Sequence, residues 1–248
     1  MPVFILTYHR LPAAPRTPRD FYDVPPAALP LHLDALRTRD IAPLDPGQIP
    51  DGTTGYLLTF DDGTRDHFDT VLPVLRERGE RGIFFIPTAK IGGEGRLTRD
   101  DVRALADAGH VIGCHSHDHA RLDTLETAGV RAQLATSLGI LREITGREAL
   151  WFAPPGGFTN RVVLNVAAEL GLRAVRTMRW GRNETLRPHR LECLPLNHAI
   201  PPERFAKILD ARGLAWLKAL YLGKQMIKAL LPMRAYESAR ATVFRRGS

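Results

Sequence analysis

The sequence predicts an α/β fold in which short buried strands alternate with amphipathic helices around a single core. Short apolar runs recur along the chain, and the longer stretches between them carry apolar residues at helical spacing. The chain has 248 residues, 44% of them hydrophobic, which is a length that one α/β barrel commonly fills. We therefore expect a mainly parallel sheet, covered on both faces, that closes into a barrel of about seven strand–helix units.

The first half of the chain shows these units in order. Val3–Leu6 predicts the first strand, and a Pro-rich segment over residues 11–30 follows as a loop that overlaps the start of a helix. The elements expected here are strands at Val3–Leu6, Tyr56–Phe60, Gly82–Ile86 and Val111–Gly113, and helices at Ala27–Thr38, Asp66–Arg78 and Thr98–Ala108. Thr98 and Asp101 stand three residues apart at the start of the last helix, which is the spacing of a capping box.

The second half continues the alternation. We expect a largely helical segment over Leu122–Thr145, a strand at Leu150–Phe152, a helix at Asn160–Leu170 and a strand at Arg173–Thr177. A further helix is expected at Gly213–Leu231. The sequence therefore predicts a barrel over residues 1–211, followed by a basic helical extension over residues 212–248.

The positive charge of the chain is confined to that extension. The formal net charge is +7, and residues 212–248 hold eight basic residues and one acidic residue, so the body sums to zero. A nucleic-acid-binding body is therefore not expected, and the extension lacks the interleaved aromatic residues typical of single-strand binding. Two interpretations of residues 213–231 stay open: a helix packed on the barrel with its lysines in water, or an interfacial helix in peripheral contact with anionic lipid.

The cysteine count and the N-terminus bear on the compartment. Cys114 and Cys193 make no disulfide framework, and the N-terminal apolar run has no basic leader and is too short for a signal segment. We expect a cytoplasmic protein, at most peripheral to the inner face of the membrane.

Polar or special residues follow the predicted strands at four points. They are His9, Asp61 with Asp62, the segment His115–His119, and the segment Pro154–Gly157. Because chemistry in α/β barrels gathers where strands end and loops begin, we expect these four places to meet.

The adjacent carboxylates Asp61 and Asp62 suit a shared role at a metal. Neighbouring side chains at a strand end point in different directions, so one carboxylate can bind a metal while the other stays free as a base. The alternative is that Asp61-Asp62-Gly63 is an ordinary turn with a helix cap.

His115 and His119 are four residues apart, and three histidines occur within these five residues. On a helical turn this spacing brings both rings to one face, which suits two ligands of one metal, with His117 pointing away. Asp118 is a candidate acceptor that would orient one imidazole. Two imidazoles and a carboxylate favour zinc, with cobalt or nickel as alternatives. Cys114 is interpreted as a small buried residue rather than a soft ligand.

Two of these motifs together resemble those of a known family. Thr59-Phe60-Asp61-Asp62-Gly63 and His115-Ser116-His117-Asp118-His119 are similar to the first two motifs of the polysaccharide deacetylases, the NodB-homology group or carbohydrate esterase family 4. The resemblance covers residues 3–210 in order and spacing. It implies a distorted (β/α)7 barrel of NodB-homology type, here with a C-terminal helical extension. It also implies that Asp61 is the general base and that Asp62, His115 and His119 hold the metal.

The sequence departs from the family pattern at two places. The third motif usually has an Arg that braces the base, but Ala153 stands there, as in the exopolysaccharide and poly-N-acetylglucosamine deacetylases; we expect Arg179 or Arg65 to replace it. The late Leu-x-His motif, source of the general acid, is matched by Leu196-Asn197-His198. The variant group instead has a His after the Tyr of its first strand, and Tyr8-His9 resembles that pattern, so we favour His9 and keep His198 as the alternative.

The resemblance implies a metal-dependent hydrolase that removes an N-acyl group, N-acetyl first, from an amino sugar in a polysaccharide or lipid-linked glycan. Pro154, Gly156 and Trp180 are the candidate substrate-binding residues, with the backbone N–H at or next to Gly156 offered to the oxyanion. Two other functions stay open. One is a sugar deformylase, and the other is a non-catalytic sugar-binding protein on a decayed barrel.

Overall fold

Seven parallel strands form a closed barrel in the computed structural model, which describes residues 2–13, 21–48, 54–184 and 187–210. The strands are β1 (Val3–Tyr8), β2 (Gly55–Asp61), β3 (Gly82–Ile86), β4 (Val111–Cys114), β5 (Trp151–Phe152), β6 (Ala174–Trp180) and β7 (Leu191–Pro195). Their order around the barrel follows the chain, and β1 closes it by pairing with both β2 and β7. The prediction of a (β/α)7 barrel is confirmed, and β5, with only two residues, is its shortest strand.

Helices cover the outside of the barrel. They are α1 (Ala28–Arg37), α2 (Leu72–Arg78), α3 (Arg99–Asp107), α4 (Thr127–Thr145), α5 (Arg161–Glu169) and α6 (Pro202–Leu209). The capping box predicted at Thr98 is present, with Thr98 and Asp101 exchanging hydrogen bonds. The helix predicted from Asp66 begins instead with a π-helical turn over His67–Val71, and the segment predicted from Leu122 begins with a separate 3₁₀ turn.

The inside of the barrel is filled by alternate residues of the strands. A single apolar cluster contains Val3, Ile5, Leu57, Ile83, Phe85, Trp151, Ala153, Ala174, Leu191 and Cys193. Above them the hydroxyls of Thr7 and Thr59 hydrogen-bond to each other at 2.9 Å. Since successive strand residues alternate between faces, the next positions along the same rows are His9 and Asp61. Each large apolar side chain fully buried in this cluster contributes about 1.5–3 kcal/mol, so the rows that position these two polar residues are strongly fixed.

The structure contains one strand that was not predicted, and it does not describe the predicted C-terminal extension. The sequence pattern located six strands and did not locate β7, a five-residue strand that ends at Pro195. The predicted extension over residues 212–248, with its helix at residues 213–231, lies outside the described residues and stays a prediction. Within the described ranges, no helix combines the length and apolar character needed to cross a membrane.

Candidate active site and metal centre

Asp62, His115 and His119 converge at the carboxyl end of the barrel. One potential ligand atom from each lies within 4.8 Å of the other two. Asp62 Oδ1 is 3.0 Å from His119 Nε2 and 3.4 Å from His115 Nε2, and the two rings meet at 70° with centroids 5.0 Å apart. The three residues predicted to hold a metal are therefore together, facing a common point.

Backbone conformation, rather than a helix, brings the two histidines together. Residues 115–119 form an irregular turn after β4. The helical turn predicted for them is therefore wrong. Ser116 has φ 61° and His119 has φ 71°, and Asp62 has φ 76° on the facing turn. Left-handed conformations cost non-glycine residues about 1–3 kcal/mol each. The concentration of this strain at three adjoining positions indicates that the fold holds the cluster for a functional reason.

A backbone carbonyl fixes the ring of His115. Its Nδ1–H donates to the Ala153 carbonyl at 2.5 Å, which directs Nε2 at Asp62. The orienting role predicted for Asp118 is wrong, because Asp118 is exposed and its carboxylate accepts from the Ala120 amide. His117 points away as predicted and hydrogen-bonds Thr88 Oγ1 at 2.9 Å.

The donor set fits a divalent metal ion. Asp62 Oδ1 is buried and accepts no hydrogen bond of good geometry, although two imidazole nitrogens approach it. Burial raises the pKa of the Asp62 carboxyl, but the two imidazoles outweigh burial and hold that pKa far below its usual value. An ionised carboxylate oxygen and two ring nitrogens, close together and otherwise unsatisfied, are the ligands that zinc and similar ions take.

Asp61 points away from this cluster and is braced by an arginine that the sequence did not indicate. Nη2 of the fully buried Arg176 donates to both carboxylate oxygens of Asp61. Burial raises the pKa of Asp61, but the charges of Arg176, His9 and His115 together outweigh burial, and the pKa lies below its usual value. Arg176 thus takes the place predicted for Arg179 or Arg65, and both of those predictions are wrong.

Those two arginines lie elsewhere. Arg65 pairs with Asp69 and Asp101 at the surface, and Arg179 is exposed on β6. The signal for Arg176 was its position in the interior of the predicted strand Arg173–Thr177, whose other arginine is its first residue; a charge buried there needs a buried partner. The sequence could not say which carboxylate that partner was.

His9 stands beside Asp61, with Nε2 3.6 Å from Asp61 Oδ2. Its ring stacks on Tyr22 with centroids 4.3 Å apart, and its Nδ1 is buried without a hydrogen-bond partner. Burial lowers the pKa of His9, although the carboxylates of Asp61 and Asp62 act in the opposite direction.

His198 occupies the rim of the same end. It is exposed, and its Nδ1–H donates to the Phe21 carbonyl at 3.0 Å. Its ring lies edge-on to Phe21, which in turn lies edge-on to Tyr22. Among the described contacts His198 forms no hydrogen bond or ion pair with either aspartate. The geometry therefore places His9, and not His198, next to Asp61.

The candidate substrate residues lie on the loop after β5 and at the end of β6. Pro154 is buried after β5, and its carbonyl accepts from the Gly157 amide at 2.8 Å. Gly156 has φ +65°, a conformation that suits glycine, and Trp180 is half-buried at the end of β6. No contact ties these three to Asp62, so their roles in substrate binding stay predictions.

Cys114 is not part of the cluster of Asp62, His115 and His119. Cys114 is buried and its thiol donates to Ser137 Oγ at 3.4 Å, away from the metal ligands. Burial raises the pKa of Cys114 to about 11, which keeps it a neutral thiol. The interpretation of Cys114 as a small buried residue fits this geometry.

Comparison with known proteins places this architecture in context. Residues 50–175 match the model of the family described as polysaccharide deacetylase. The chain is 32% identical over 120 residues to a chitin deacetylase of Pestalotiopsis sp, which covers 48% of this chain and 40% of that protein. It is 30% identical over 120 residues to the peptidoglycan-N-acetylmuramic acid deacetylase PdaA of Bacillus subtilis, which covers 48% of this chain and 44% of that protein.

A structural likeness extends beyond the matched segment. The structure of IcaB from Ammonifex degensii superposes with a TM-score of 0.73 at 22% identity, covering 83% of this chain and 96% of that one. At this identity the likeness concerns the fold alone. The chain spans less than half the length of the two curated relatives named above.

Proposed function

Because this chain belongs to the polysaccharide deacetylase family, we propose that it is a metal-dependent hydrolase that removes an N-acyl group, N-acetyl by preference, from an amino sugar of a glycan. One observation carries the proposal: the cluster of Asp62, His115 and His119 lies directly beside Asp61, a second carboxylate held apart by its own arginine. Metal ligands and a separate ionised base, side by side, are the groups that hydrolysis of an unactivated amide requires.

Different residues are assigned to metal binding and to proton transfer. We assign Asp62, His115 and His119 to a divalent ion, zinc first and cobalt or nickel as alternatives. Such an ion supplies Lewis-acid polarisation of the acyl carbonyl and lowers the pKa of water. Asp61, kept ionised by Arg176, accepts the proton of the water whose oxygen bonds to the acyl carbon. The C–N bond then breaks, acetate leaves, and the sugar nitrogen takes a proton.

His9 is the group we assign to that last proton. Its Nε2 is 3.6 Å from Asp61, so the two groups between which the proton has to pass are near neighbours. General acid–base help of this kind contributes about 10²–10⁴-fold to the rate. Pro154, Gly156 and Trp180 are proposed to contact the sugar or the oxyanion, and an N-acetylated polymer and a lipid-linked sugar are the two substrate forms.

The test is release of acetate from N-acetylated oligosaccharides and lipid-linked sugars, with and without added zinc, cobalt or nickel. We expect metal-dependent acetate release from the unsubstituted chain. Asp61→Asn should retain metal and lose turnover, whereas His119→Ala should lose both, measured as metal content per chain and as acetate. Release of formate instead would make the protein a deformylase. Binding of sugar without release of either acid would make it a sugar-binding protein.

The compartment is a separate proposal. We propose a cytoplasmic protein in which residues 213–231, outside the described part of the chain, form a helix that either packs with its lysines in water or makes peripheral contact with the inner face of the membrane. Co-sedimentation of the full chain with anionic liposomes, compared with neutral liposomes, tests the contact. Equal recovery of the protein from both kinds of liposome would remove it.

A further inference from the structure

The loop between β3 and α3, residues 87–97, is fixed against both turns that carry the candidate metal ligands. The Ala89 amide donates to the His117 carbonyl at 2.8 Å, within the turn that holds the two histidines. Nη1 of Arg96 donates to the backbone carbonyl of Asp62, also at 2.8 Å. The side chains of this loop are therefore held at the edge of the metal centre.

Two basic side chains of the loop have no acidic partner. Lys90 and Arg96 are half-buried, and neither forms an ion pair with a carboxylate in the described part of the chain. The acids whose charges act on Lys90 are Asp62 and the exposed Asp118. Burial and the charge of Arg96 together lower the pKa of Lys90, as expected for two cations held close to each other. Lys90 is also the only lysine among the first 206 residues.

The acids nearest the pair are either exposed to solvent, as Asp118 and Glu94 are, or directed at other groups. The charge of Asp61 is offset by the buried Arg176. Asp62 is directed at His115 and His119, and a divalent ion bound there would more than neutralise it. Lys90 and Arg96 are half-buried beside the candidate metal ligands, whereas the carboxylates of Asp118 and Glu94 are exposed and screened by solvent, so the field at the two basic groups attracts an anion.

We propose that Lys90 and Arg96 form an anion subsite beside the metal centre, which binds a carboxylate or phosphate group carried by the substrate glycan near its acylated amino sugar. This inference rests on the deacetylase function proposed above and narrows its substrate class to acidic glycans. A lysine ammonium binds such groups as a point charge, and the guanidinium of Arg96 adds directed donors.

Measuring glycan binding in an inactive variant tests the anion subsite independently of catalysis. The zinc-loaded full chain with the double substitution Asp61→Asn and Arg176→Met, which blocks turnover and leaves neither charge of the buried pair unpaired, would be titrated by calorimetry with three oligosaccharides of equal length. The first is neutral and built of N-acetylglucosamine; the second contains uronic acid carboxylates; the third carries a phosphate ester. We expect at least one acidic oligosaccharide to bind about tenfold tighter than the neutral one, because a charge-assisted contact is worth about that factor.

Substitutions then assign the preference to the subsite. Lys90→Gln should bring the affinity ratio of acidic to neutral glycan close to one, and Lys90→Glu should invert it. The matched control is Arg142→Gln, which removes one positive charge from the outside of α4, where Arg142 pairs with Glu148. This control should keep the full preference. The acidic oligosaccharide that binds with the higher affinity shows whether the subsite prefers a carboxylate or a phosphate group.

The outcomes separate the subsite from the proposed function. Equal binding of acidic and neutral glycans, or an undiminished preference in Lys90→Gln, would overturn the subsite. Acetate released by the unsubstituted chain at equal kcat/KM from acidic and neutral glycans would leave the deacetylase function standing and remove the subsite. An acidic preference lost in Lys90→Gln, in a chain that releases no acyl group, would uphold the subsite and remove the function.

Discussion

Arg176 on β6 reaches across the barrel interior and donates to both carboxylate oxygens of Asp61 on β2. Both side chains are almost fully buried, with exposed fractions of 0% and 2%. The pair therefore does two things at once. It helps to keep Asp61 ionised next to the candidate metal ligands, and it makes the folded state depend on a buried charge pair whose halves cannot be removed separately without cost.

Replacing Arg176 by Met should cost both activity and stability. Asp61 loses the charge that lowers its pKa, so the acidic limb of the pH profile of kcat/KM should move to higher pH. The uncompensated carboxylate should reduce the free energy of unfolding by about 3–5 kcal/mol. The measurements are the pH profile of acetate release and urea unfolding.

Two controls accompany Arg176→Met. Arg179→Met, at an exposed position of the same strand, should change neither quantity. The double variant Arg176→Met with Asp61→Asn should recover much of the lost stability, since it removes both charges, yet stay inactive. A stable and active Arg176→Met variant would remove the brace from the mechanism.

His9 and His198 can be separated by a matched pair of substitutions. His9→Gln should lower kcat by about 10²–10⁴-fold, because His9 is the imidazole beside Asp61. His198→Gln, at an exposed rim position bonded to the Phe21 carbonyl, should change kcat much less. Both variants should retain their metal, which metal content per chain would check. The reverse order of effects would transfer the acid role to His198.

The parts of the site that the sequence predicted are those set by local rules. His9 and Asp61 continue interior rows of β1 and β2, so alternation along one strand was enough to place them at the barrel mouth. The brace could not be predicted in this way, because Asp61 and Arg176 are 115 residues apart and only closure of the barrel joins them. The same holds for the carbonyl of Ala153 that orients His115, because a backbone acceptor leaves no trace in residue type.

The loop after β5 should tolerate no side chain at Gly157. This residue has φ +74°, and a Cβ there would lie 2.4 Å from the Met178 amide nitrogen on β6. Gly157→Ala therefore adds a backbone clash to conformational strain, and we expect it to lower the free energy of unfolding by several kcal/mol, more than the ~1 kcal/mol of strain alone.

Gly146→Ala is the matched control for that substitution. Gly146 ends α4 with φ +68°, and a Cβ there would meet no atom within 4 Å. Its cost should be about 1 kcal/mol, the strain without the clash. Urea unfolding of both variants measures the difference. Equal losses of unfolding free energy in the two variants would mean that the loop after β5 shifts away from β6 at little cost and is not fixed against that strand.

A buried histidine at the opposite end of the barrel should make the fold sensitive to acid. His110 precedes β4, and its Nδ1 accepts from the Gly82 amide at 3.2 Å. Burial, together with the charges of Arg76 and Arg81, lowers the pKa of His110 to about 4. In the unfolded chain the His110 imidazole should be protonated below about pH 6.5. Between about pH 6.5 and 4 the unfolded chain therefore binds one more proton than the folded chain. Stability is full above that window and declines through it as the pH falls.

His110→Asn tests this linkage, since the Asn side-chain oxygen can still accept from the Gly82 amide but does not titrate. The slope of unfolding free energy against pH, measured by urea unfolding from pH 7 to the acid side, should fall by about one proton, or ~1.4 kcal/mol per pH unit. His189→Asn, at an exposed position, should leave the slope as it is. The slope should not vanish, because burial also lowers the pKa of His32 to about 4. An unchanged slope in His110→Asn would mean that His110 takes up its proton equally in the folded and unfolded chains.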